Sequence, residues 1–193
     1  MTVDFESATQ KARAHAERGT ELFFEEKYQD AAGELLLAIK ASPEPFIEAE
    51  RLLAHAYRLS IETPEQLART IGQFEKVVSL DSSDVGSWCW LALLAQAASL
   101  TQQQIADATR QGWIQSGSTG TVSAIRQISR DSRIRKQANK FQQIASRASV
   151  QAWQGFAGLD PEQAAGDEIL YALESAVTLA DFYREEAGAP STA

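Results

Sequence analysis

Apolar residues along this chain recur at three- and four-residue spacing, the period of one helix face. Leu22, Phe23 or Phe24 and Tyr28 carry the pattern first, and Ala31, Leu35, Ala38 and Ile39 continue it. Strand signals are nearly absent. The residues between are mostly Ala, Leu, Glu, Gln and Arg, which favour helix. The pattern breaks at "ASPEP" (41–45), "IETPEQ" (61–66), "LDSSD" (80–84), "SGSTG" (116–120) and "GLDPEQ" (158–163). It predicts helices near 7–25, 28–41, 45–60, 64–80, 84–99, 102–115, 121–157 and 161–187. Thr101 with Gln104 reads as a capping box, and Asp160, Pro161 and Gln163 as a second capped start. The tail, 188–193, reads as disordered.

An internal repeat lies over this pattern. The spacing His15-x2-Arg18-Gly19-x2-Leu22, then "KYQDA" ending at Ala31, then Leu35, Ala38 and Pro43, describes a helix-turn-helix unit. Small residues at Gly19, Ala31 and Ala38 let two helices approach closely, and Pro43 ends the pair. The spacing returns at Ala49-x2-Leu52-Leu53-x2-Ala56, then Phe74 and Val77, and again at Trp88-x2-Leu91-Ala92-x2-Ala95.

These residues resemble the tetratricopeptide repeat family, most clearly in "KYQDAAGELLLAIKASPE" and "QFEKVVSLDSSDVGSWCWLAL". The resemblance spans about three repeats over residues 8–115. Arg18 stands where an apolar residue is usual, "ETPEQ" carries an insertion, and Ser82 replaces the terminal proline. The resemblance implies an all-α helical-repeat solenoid of antiparallel helix pairs over 7–115. A Gly/Ser linker (116–120) then leads to a C-terminal long-helix hairpin (121–187) that packs on or caps the repeats. First helices would line a groove for a peptide or helix of another protein. Its residues would be Arg13, Ala16, Thr20 and Phe23; Ile47, Glu50, Ala54 and Tyr57; and Gly86, Cys89, Leu93 and Gln96. Members of the family that grip a C-terminal carboxylate do so with Lys, Asn and Arg. Ala16, Thr20, Ala54, Cys89 and Leu93 hold the corresponding places here, which disfavours that mode. Filling of the groove by the chain's own C-terminal helices is the competing reading.

Charge adds a second feature. The chain has 193 residues and a formal net charge of -8, yet residues 126–147 hold seven basic residues and one acid. On a helical wheel Arg126, Arg130, Arg133, Lys136, Lys140 and Arg147 form a stripe, opposite Ile134, Ala138, Phe141, Ala145, Ala152 and Phe156. Three readings fit the stripe: a solvated face pairing with the acidic segment 160–186 in a hairpin or dimer, docking of an acidic partner, or phosphate contact with nucleic acid. The acidity elsewhere weighs against the third, which stays as the alternative of a nucleic-acid-associated regulator. A structural subunit of a homo-oligomer is a further alternative.

Catalytic patterns do not emerge. His15 and His55 share no metal-ligand spacing with another His or Cys, and "SGSTGT" lacks the lysine of a phosphate-binding loop. Cys89, the one cysteine, has no positioned histidine, and it permits no internal disulfide. Trp88 and Trp90, in the apolar stretch "WCWLALLAQAA", read as core. No apolar run reaches the ~18–20 residues of a membrane helix, and "MTVDFESATQ", with Asp4 and Glu6 and no basic start before an apolar run, leads to the expectation of no secretion leader. The expectation is a cytoplasmic, non-enzymatic adaptor, assembly factor or chaperone that binds a protein segment and needs no cofactor.

Overall fold

The computed structural model describes residues 2–99 and 136–157, and these are helical with no strand among them. The helices are α1 (Thr2–Phe24), α2 (Tyr28–Ala41), α3 (Ile47–Leu59), α4 (Pro64–Leu80), α5 (Val85–Ser99) and α6 (Ala138–Ala157). The expected helices at 102–115 and 161–187, the linker 116–120, the tail and both expected caps lie outside the described residues. The chain divides into two compact units between Ser82 and Ser83, inside the stretch 7–115 expected to form one set of repeats.

In the first unit each helix packs on its chain neighbour, and α1 also touches α3. Local chemistry sets the turns. After α1 the Lys27 N–H donates to Leu22 O (2.9 Å) and the Glu26 N–H to Phe23 O (3.0 Å). This closing motif requires a left-handed residue, and Glu26 supplies it at φ 61°. α2 stops at Ser42, which precedes Pro43 and is extended (φ -69°, ψ 130°), because proline's ring disfavours helix in the residue before it. α4 begins with a full capping box: Thr63 accepts from the Gln66 N–H, and the Gln66 side chain accepts from the Thr63 N–H.

Small residues make the first pair tight. A Cβ on Gly19 would lie 2.8 Å from Leu35 Cγ and 3.3 Å from the Ala31 carbonyl, so α1 and α2 approach to a distance only glycine permits. His15 Nδ1 meets Glu34 Oε2 at 2.7 Å across the same pair. Ala32, Leu35, Ala38, Ala49, Leu53, Ala56 and Tyr57 form a core joining α2 to α3, with Ala16, Phe23, Phe46 and Leu52 packed around it. Burying Leu35 and Leu53 contributes ~1.5–3 kcal/mol each and every alanine methyl less, and this burial carries the fold more than helix propensity does.

The second unit is described through α5 and α6, which pack on each other. Asp84 starts α5 by accepting from the Ser87 N–H and hydroxyl, both at 2.9 Å. α5 is buried nearly all round: Trp88, Cys89, Leu91, Ala92, Leu94 and Ala95 are inside, and Trp90 is half-buried. α6 buries Phe141, Ile144, Ala145, Ala148 and Ala152. A Cβ on Gly155, near the end of α6, would sit 2.5 Å from Val85 Cγ2 at the start of α5, so the two run antiparallel. The expected single helix over 121–157 is interrupted, because Lys136 and Gln137 form a turn and α6 starts at Ala138. "RKQANK" contains no proline, glycine or capping hydroxyl to announce that start.

Candidate partner-binding cleft

Arg13, Ala16, Glu17, Thr20 and Glu21 fall at i, i+3, i+4, i+7 and i+8, one stripe along α1. That stripe and Phe46 line an open cavity of about 550 Å3. A second cavity of about 280 Å3 shares Ala16, Thr20 and Phe46 with the first and extends over Leu35, Glu48, Ala49, Arg51, Leu52 and His55. The two make one cleft between α1 and α3. Its floor is set by short side chains, Ala16, Thr20 and Ala49, and its apolar wall by Phe46 and Leu52. The Thr20 hydroxyl donates to the Ala16 carbonyl at 2.8 Å, so its polar group is satisfied within α1.

Charge sits on the rim. Arg13, Glu17, Glu21 and Glu48 are exposed. Glu21 pairs with Arg18 (2.8 Å) and Arg51 with Asp81 (3.1 Å). His55 meets the ring of Phe74 edge-on, centroids 5.6 Å apart, which ties the α3 wall to α4. This arrangement can bury an apolar side chain at the floor and orient its flanks by charge. Among the described residues no cluster of His, Cys, Asp or Glu could hold a metal.

The structure gathers Arg13, Ala16 and Thr20 at the cleft and sends the other expected groove residues elsewhere. Phe23 packs edge-on against Phe24 and Tyr28. Ile47 is half-buried and lines neither cavity. Glu50, 3% exposed, is turned to α4, where it meets Gln73 and Lys76. Ala54 is fully buried, and Tyr57 lies beneath the Arg69 guanidinium, 4.1 Å from its ring centroid. The α3 residues that do line the cleft are Glu48, Arg51, Leu52 and His55, again at i, i+3, i+4 and i+7. Each helical residue turns the face by 100°, so the set 47, 50, 54 and 57 looks away. The polar members Glu48, Arg51 and His55 were the available signal for this face.

Gly86, Cys89, Leu93 and Gln96 belong to α5 in the second unit. Cys89 is 1% exposed, and burial, aided by the Asp84 carboxylate, pushes its thiol up to about 11. A thiol so placed is a small core residue, not a nucleophile. Of the basic stripe, Lys136 lies in the turn before α6, and Lys140 and Arg147 are exposed on α6. Arg126, Arg130 and Arg133 lie outside the described residues.

No protein-family model matches the chain, and no curated protein or solved structure matches it either. No described helix is long and apolar enough to cross a membrane.

Proposed function

We propose that this chain is a non-catalytic, tetratricopeptide-like interaction module of the cytoplasm, acting as an adaptor, assembly factor or chaperone. A peptide or amphipathic helix of a partner protein lies in the cleft between α1 and α3. The observation that carries this reading is the continuity of the two cavities along the α1 stripe, from Arg13 past Ala16 and Thr20 to Leu52 and His55. Short floor residues leave room for a bulky apolar side chain, whose burial supplies affinity, while the rim charges select orientation.

Affinity purification from the native source, repeated with Ala16→Trp and with Leu52→Glu, tests the reading. Both variants should lose the protein that the unaltered chain recovers and keep its helical signal. Unchanged recovery removes the cleft from the account.

A further inference from the structure

The charges around the cleft between α1 and α3 do not cancel. Three carboxylates line it, Glu17 and Glu21 on α1 and Glu48 on α3, against the guanidiniums of Arg13 and Arg51. Pairing sharpens the balance. Arg18 holds Glu21 and Asp81 holds Arg51, which leaves Glu17 and Glu48 against Arg13. Among the described residues neither Glu17 nor Glu48 forms an ion pair, and both are exposed, one on each helix that borders the cleft. The surrounding unit has the same sign. Met1–Ser82 holds nine Lys/Arg and fifteen Asp/Glu, a net of -6 with histidine neutral. A field of one sign over a concave surface concentrates partners of the opposite sign.

We infer that the occupant of this cleft is a cationic amphipathic helix of another protein, with a bulky apolar anchor and Lys or Arg on either side of it. The inference rests on the cleft's role as a partner-binding site and names the chemistry of what fills it. The anchor settles over Ala16, Thr20 and Ala49, beside Phe46 and Leu52. Cations three or four residues from the anchor share its face of the partner helix, so they arrive at the rims where Glu17 and Glu48 stand. Burial of the anchor holds the complex, while the carboxylates speed encounter and reject the wrong sign. An acidic helix would meet like charge on both α1 and α3, with Arg13 alone to attract it.

The probes are two fluorescein-labelled synthetic helices with the same leucine stripe, one flanked by lysines and the other by glutamates. Each is titrated into the full chain and followed by anisotropy. The lysine helix should bind saturably and more weakly as salt rises, and the glutamate helix should bind at least about tenfold less well. Glu17→Lys with Glu48→Lys should reverse that preference. Both side chains are exposed and unpaired, so circular dichroism should be unchanged. Ala16→Trp should abolish binding of the lysine helix, and a lysine peptide of the same composition without the stripe should not saturate. Preference for the glutamate helix, blocked by Ala16→Trp, overturns the inference and leaves the cleft as the binding site. Lysine-helix binding untouched by Ala16→Trp, or matched by the scrambled peptide, overturns the inference and the cleft's role together. Failure of both helices to bind, or a preference unmoved by the double charge reversal, overturns the inference too.

Discussion

Lys76 Nζ on α4 reaches Glu50 Oε1 on α3 at 2.5 Å, and Gln73 Nε2 holds the other carboxylate oxygen at 2.6 Å. The pair is asymmetric: Glu50 is 3% exposed, whereas half of the Lys76 side chain is in water. Removing the lysine leaves a buried charge with only an amide beside it, whereas removing the carboxylate leaves a lysine that water can take. Lys76→Ala should therefore cost about 1–3 kcal/mol, and Glu50→Leu less, although Glu50 is the more buried partner. Urea unfolding of both variants checks the order.

Glu26 holds a left-handed backbone at a site where glycine is the usual residue. Its side chain is exposed, so replacement removes no buried contact. Glu26→Gly should raise stability by about 1 kcal/mol, and thermal unfolding should show a small rise in Tm.

Gly155→Ala should loosen the α5–α6 pair by about 1–3 kcal/mol, since its methyl would fall 2.5 Å from Val85 Cγ2 and valine has few rotamers to escape into. Alanine's better helix propensity returns up to ~1 kcal/mol of that. Adding Val85→Ala should relieve the clash, so the two changes should be non-additive in a double-mutant cycle.

The Cys89 thiol predicts a pH dependence. Its folded value, about 11, lies above its ordinary value near 9, so the folded chain keeps a proton that the unfolded chain releases. This contribution is fully present below pH 9 and is lost as pH rises to 11, a fall of up to ~3 kcal/mol. Cys89→Ala should flatten that part of the stability curve. Thiol-reactive dyes should label the native chain slowly at neutral pH.

The helices of the first unit were legible because proline and small residues mark them in the sequence. Pro43 and Pro45 end α2, and Gly19 opposite Leu35 marks the close pair. The break "IETPEQ" was legible, but its capping box at Thr63 and Gln66 was not read from it, although a threonine followed three residues later by glutamine with proline between is the signal. The face of α3 was not. Ala49, Leu53 and Ala56 fix its buried side, but residues flanking that side alternate between polar and apolar, so periodicity leaves its rotation open by one residue. Glu50 was expected to line the groove, and only the reach of Gln73 and Lys76 from α4 shows why it is buried. The turn at Lys136 was hidden for a related reason: lysine and glutamine are good helix formers, so Lys136 and Gln137 read as helix surface.

Site-specific photo-cross-linking in cells of the native source reads out whether a partner occupies the cleft between α1 and α3. A photo-reactive amino acid replaces Glu17, which lines the cleft, or Gln29, exposed on α2 outside both cavities. A covalent adduct with one partner protein is expected from position 17, vanishing with Ala16→Trp, and none from position 29. No adduct from position 17, or the same adduct from both positions, would contradict it.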